Sequence, residues 1–122
     1  MRLGQRIRVV RKYEAGSYDG QIHHINEEYK NKGANHWGTE VRYYVKFDDP
    51  AAYDRWLQRG SMLYVYVRTM LKKCFIVSTT NDTIQVEEYS ENISVYNTNY
   101  TVKKTDIDSM LITEAAHDIT TI

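Results

Sequence analysis

The sequence predicts an all-β protein. Residues 1–68 are expected to form a small antiparallel barrel, residues 69–113 a second small antiparallel β unit packed against it, and residues 114–122 a tail. Three observations carry this reading. Short runs alternate apolar and polar side chains with the period of two that a half-buried strand requires, and helical periodicity is almost absent. Those runs concentrate Val, Ile, Thr and aromatic residues, with 11 tyrosines supplying most of the ring surface. Gly, Asn, Asp and Ser separate the runs at turn positions.

The elements follow in order. Gln5-Arg6-Ile7-Arg8-Val9-Val10 alternates as a first strand and turns at Glu14-Ala15-Gly16. Residues 20–25 make a second strand, with Ile22 facing away from Gln21 and His23. Residues 26–39 read as a long polar connection anchored by an isolated Trp37. Residues 40–47 give a third strand, and Pro50 blocks further pairing. Tyr53-Asp54-Arg55-Trp56-Leu57 is a brief strand or one helical turn through Ala51-Ala52, after which Gly60 bends the chain into a strand over 62–68. About five strands in this stretch is the number a small SH3-like barrel needs.

Beyond Gly60 there is no glycine, so the second half must turn on Asn, Asp and Ser. Strands are expected over 73–77, 83–87, 93–95 and 100–102, with Ile84 and Val86 inward and turns at 80–82, 90–92 and 97–99. Residues 105–111 close this sheet or form a helical turn, and the tail from Glu114 is expected to be loosely held.

Composition narrows the function classes. The net charge is zero, which argues against a dedicated, strongly basic nucleic-acid binder but leaves room for a local patch. Residues 1–66 carry about three more basic than acidic side chains, and the remainder reverses that balance. A single cysteine, Cys74, excludes an intramolecular disulfide and fits a reducing, intracellular compartment. Met1-Arg2-Leu3-Gly4-Gln5-Arg6 has no apolar signal core behind it, and no run reaches bilayer-spanning length, so no membrane contact is expected.

The chemistry concentrates in aromatic residues. Tyr13 and Tyr18 flank the first turn, Phe47 and Asp49 end the third strand, and Tyr53 lies just beyond Pro50. Three strands in a meander would gather all five at one rim. Aromatic faces attract a cation that has shed its water, at roughly 0.5–2 kcal/mol per good contact, and methylation makes an ammonium easier to desolvate. A carboxylate at the edge adds a charge-assisted hydrogen bond.

Gly4-Gln5-Arg6-Ile7-Arg8-Val9 with Tyr13, then Tyr18-Asp19-Gly20-Gln21-Ile22, then Tyr44-Val45-Lys46-Phe47-Asp48-Asp49 resembles the Tudor family, above all the tandem modules of chromatin and DNA-damage readers. The resemblance covers about residues 3–65. It implies a non-enzymatic, nuclear reader of methylated lysine or arginine on a histone or another basic tail. The implied cage is Tyr13, Tyr18, Phe47, Asp49 and Tyr53. Pro50-Ala51-Ala52 stands where the family has glycine, and the connection over 26–39 is longer than usual. Tyr53-Asp54-Arg55-Trp56 is also similar to chromo-barrel modules, which would extend the cage to Trp56, and Trp37 offers a further ring.

Other chemistry is weaker. His23 and His24 point to opposite faces of a strand, and with His36 they lack a cysteine pair, so no metal or other cofactor is expected. No phosphate-binding glycine loop or nucleophile elbow is present, and Asp48-Asp49 lacks an obvious asymmetry for acid–base work. Cys74, inside Cys-Phe-Ile-Val, reads as a small buried apolar group. Two alternatives to the reader remain. Arg6 and Arg8 on one face, with Arg11 and Lys12, would contact phosphates of DNA or RNA while tyrosines stack on bases. The chain would otherwise be a structural subunit of a larger assembly, a viral one included.

Overall fold

A computed structural model describes residues 1–13, 15–67, 69–89 and 98–122. The expected turn residue Glu14, the strand end at Arg68, and the turns and strand predicted over 90–97 lie outside the described residues. The chain is all-β, with one antiparallel sheet of nine strands that is not closed among the described residues. The strands are β1 (Arg6–Arg11), β2 (Tyr18–Asn31), β3 (Trp37–Phe47), β4 (Met62–Val67), β5 (Met70–Thr79), β6 (Thr83–Glu88), β7 (Asn99–Lys103), β8 (Ile107–Thr113) and β9 (His117–Thr121). Their hydrogen-bonded order is β7-β6-β5-β4-β8-β3-β2-β1-β9.

The chain forms two compact units, Met1–Asp48 with Leu111–Ile122, and Asp49–Met110. This differs from consecutive units over 1–68 and 69–113 for two reasons. Met62–Val67 pairs along its whole length with β5, which assigns it to the second unit. Residues beyond Glu114 are not a loose tail: β9 pairs with β1 from Ile7↔Thr121 to Arg11↔His117, with Lys12 N–H donating to the Ala116 carbonyl at 3.0 Å. β8 divides between the units after Met110.

In the first unit Ile7, Val9, Ile22, Val45 and Phe47 are buried on the one face that the register of β1, β2 and β3 gives them, and Tyr44 and Ile112 are buried as well. Gly20 sits where β1, β2 and β3 meet, paired with Ile7 on one side and Phe47 on the other. The connection expected over 26–39 is instead strand at both ends, and β2 and β3 pair from Gly20↔Phe47 out to Asn31↔Trp37. Only residues 32–36 turn, through positive φ at Gly33, Ala34 and Asn35 and a Gly33 N–H bond to the Asn31 side chain at 2.9 Å. Polar residues on both faces hid this ribbon, because it makes no apolar alternation.

The second unit buries Leu63, Val65, Cys74, Ile76, Ile84, Val86 and Ile107. Pro50 opens a helix, α1 (Ala51–Trp56), instead of a brief strand. Proline's fixed φ suits a helix start, and Asp49 accepts the Ala51 N–H at 2.9 Å. The helix turns Tyr53 and Trp56 inward. Lys104 holds its outer face through an ion pair with Asp54 at 2.5 Å.

Cys74 is fully buried, and burial, reinforced by Glu88, pushes its thiol up to about 11. The thiolate is the reactive form, so a disulfide-exchange reagent should leave Cys74 untouched in native buffer at neutral pH. Denaturant should expose one titratable thiol per chain; rapid modification of the native protein would contradict this burial.

Candidate functional site

The residues that suggested a cage have local structural work. Arg8 and Asp19 are register partners, and the guanidinium meets the carboxylate twice, at 2.8 and 3.2 Å. Arg6 grips Asp48 in the same two-pronged way. The Asp48 N–H also donates to the Asp19 carbonyl at 3.0 Å. Tyr-Asp-Gly and Phe-Asp-Asp therefore contribute a three-strand clasp across β1, β2 and β3, with the glycine at its tightest point.

The clasp changes the electrostatics of the basic strand. The Arg8 and Arg6 guanidiniums hold the carboxyls of Asp19 and Asp48 below their ordinary range. A carboxyl depressed by folding contributes stability above its unfolded pKa of about 4 and loses it as pH falls through the folded value. The melting temperature should therefore drop below pH 4 or so. Asp19→Asn should lower it at pH 7, and the difference should shrink as the pH falls through the acid range, as thermal melts would show. Arg6 and Arg8 thus each direct two guanidinium N–H groups at these carboxylates. Arg11 and Lys12 are half-buried at the start of the turn.

The five expected cage residues fall in different units. In the first, Tyr18 and Phe47 pack edge to face, with centroids 6.4 Å apart at 74°, but Phe47 is only 3% exposed. Tyr13 is fully exposed and has a left-handed backbone, φ 68°. In the second, Asp49 is exposed and caps α1, whereas Tyr53 is 1% exposed and Trp56 is also buried. No ring face of Tyr53 or Trp56 is open to a ligand in this conformation, because α1 turns both inward.

Trp37 is where the structure adds to the sequence reading. It stands at the outer end of the β2–β3 ribbon, stacked on Tyr29 with centroids 5.7 Å apart and planes at 21°. Both rings remain open, Tyr29 at 69% and Trp37 at 54% exposure. The pair is diagonal across the ladder, Tyr29 opposite Thr39 and Trp37 opposite Asn31, a spacing aromatic side chains can bridge. The register puts Glu27 and Val41 next on the same face, then Ile25 and Tyr43.

The opposite face carries an ion network. Lys30 meets Glu40 at 2.6 Å, and Arg42 meets Glu28 at 2.6 Å and Glu40 at 3.6 Å. Lys32 crosses Gly38 and donates to the Thr39 carbonyl at 2.9 Å. Beside the ribbon lies a cleft of about 480 Å³, lined by Asn31, Lys32, Thr39, Val41 and Glu114 among others. Burial raises the Tyr43 hydroxyl's pKa, with Glu114, its hydrogen-bond acceptor, and Glu27 adding to the shift. Two carboxylates thus act on this end of the face. Trp37 was expected as a further ring; Tyr29 as its partner was missed, because residues 26–39 read as a loop rather than as facing strands.

Among the described residues no cluster of three or more His, Cys, Asp or Glu is placed to hold a metal ion, and no helix is long and apolar enough to cross a membrane. No family model, curated protein or solved structure matches the chain. What fold and site define is an all-β chain carrying an exposed aromatic pair at the end of a two-stranded ribbon.

Proposed function

We propose that this protein is a non-enzymatic binding module that captures a basic peptide segment, such as a histone tail, on the ribbon face bearing Tyr29 and Trp37. The observation that carries the proposal is two large rings held open to solvent, whose register partners Asn31 and Thr39 line a cleft that Glu114 also lines. Exposed aromatic residues that fill no core are the usual anchors of recognition. The fold part of the proposal is SH3-like and Tudor-like. The strand orders support it: β9-β1-β2-β3-β8 in the first unit and β8-β4-β5-β6-β7 in the second, with a 3-10 turn at Lys104–Asp106 before β8.

The test is titration of the protein with a peptide of mixed lysine and arginine content. Trp37→Ala should weaken binding at least about tenfold, the loss expected of an interface anchor, without changing the fold. Equal binding by Trp37→Ala, or no binding to the native protein, would refute the site. A nuclear location goes with a histone partner and rests on the same test.

A second reading keeps a methyl-ammonium ligand beside Tyr18, favoured by its near-perpendicular packing on the buried Phe47. There Tyr13 would swing inward as a further wall. Trimethyl-lysine peptide protecting Tyr13 from a tyrosine-modifying reagent would favour this reading over the ribbon.

A further inference from the structure

Resting on the basic-peptide reading, we infer that the side chain taken by the Tyr29–Trp37 face is an arginine rather than a lysine. Ring geometry is the first ground. Two rings stacked with planes at 21° leave a flat outer ring face toward solvent, not crossed walls around a hollow. A guanidinium is planar and weakly hydrated and stacks on such a platform, whereas an ammonium is a compact, strongly hydrated charge that needs several ring faces to replace its water.

Charge is the second ground. Glu27 lies on the platform face two residues before Tyr29, exposed and without an ion-pair partner among the described residues. Glu114 lines the adjoining cleft. The cations near the same cleft are engaged: Lys30 with Glu40, Arg42 with Glu28 and Glu40, and Lys32 with the Thr39 carbonyl. A stacked guanidinium extends its N–H fork in its own plane, parallel to the ring it covers, which lets a carboxylate beside that ring accept from it. The face therefore combines a stacking surface with an exposed acid that has no ion-pair partner among the described residues, a pairing that suits arginine.

The experiment uses the full chain and three peptides identical except at one central pair of residues, which is arginine, lysine or citrulline. Binding is followed by emission of Trp37, the exposed one of two tryptophans, and by calorimetry. The arginine peptide should bind roughly tenfold tighter than the lysine peptide, a difference in keeping with stacking plus a fork-shaped contact. Citrulline, planar but uncharged, should bind more weakly than arginine. Glu27→Gln should reduce arginine binding about threefold or more at an unchanged melting temperature.

Equal affinity for arginine and lysine, lost in Trp37→Ala, would overturn the arginine inference and leave the basic-peptide reading standing. If none of the peptides binds, the reading fails and takes the inference with it. Binding of single-stranded oligothymidine at Trp37 with steep salt dependence, in place of the peptides, would overturn both in favour of nucleic acid.

Discussion

A chain ending at Met110 is expected to lose the folded structure of its first unit. The cut removes β9, which pairs with β1 at five register positions from Ile7 to Arg11. It also removes Ile112, which is fully buried. Deleting one buried isoleucine side chain costs about 2–5 kcal/mol, and each lost ladder hydrogen bond roughly 0.5–1.5 kcal/mol. A whole domain has only about 5–15 kcal/mol to lose. The strand pairings of β4 with β5, β5 with β6 and β6 with β7 all lie before the cut. Amide exchange of the shortened chain should find β1 and β2 unprotected; native-like protection across β1 would show that β9 is dispensable.

Gly20→Ala is expected to be the most damaging single methyl in the first unit. A Cβ there would lie 2.6 Å from the Lys46 carbonyl oxygen and 2.8 Å from Cγ1 of Val45. The first contact is with backbone, which can retreat only by prising β2 from β3. Overpacking of this kind costs about 1–3 kcal/mol, and a backbone clash belongs at or above the top of that range. Gly38→Ala is the control: its Cβ meets only the flexible end of Lys32, at 3.3 Å and beyond. Denaturant unfolding should separate the two substitutions by at least about 2 kcal/mol. Similar values would mean that the clash at Gly20 is relieved by rearrangement.

Alternation made most of the strands legible. Ile7 and Val9, Ile84 and Val86, and Leu63 and Val65 are apolar at every second position, and all are buried. The outer ribbon was not legible, because ion pairs such as Lys30–Glu40 and Arg42–Glu28 replace apolar burial as its cross-strand contacts. β9 was missed for a related reason. His117-Asp118-Ile119-Thr120-Thr121 offers one aliphatic side chain and belongs to a partner more than a hundred residues earlier, a distance no local pattern records.

The candidate site was legible as residue types rather than as roles. Tyr18 and Phe47 do meet, as their spacing suggested. Asp19 and Asp48 belong to the motifs that carry the resemblance, and cross-strand arginines occupy them, while Asp49, the acid expected in the cage, accepts the Ala51 N–H at the start of α1. Tyr53 was placed at the rim by its distance from Asp49. Pro50 and two alanines instead start a helix, and helical periodicity carries Tyr53 into the interior.

The discontinuous first unit also sets an order of events during synthesis. Residues 49–110, the second unit, leave the ribosome as one uninterrupted stretch. Residues 1–48 emerge earlier but must wait for 111–122, some 74 residues behind the end of that first segment. At about 5–20 residues per second the delay is roughly 4–15 seconds. Throughout it, Ile7 and Val9 lack the strand that finally covers their backbone edge. Residues 1–48 therefore finish folding after the unit that follows them in the chain, and a nascent chain stalled before residue 111 would present an uncovered β edge to chaperones.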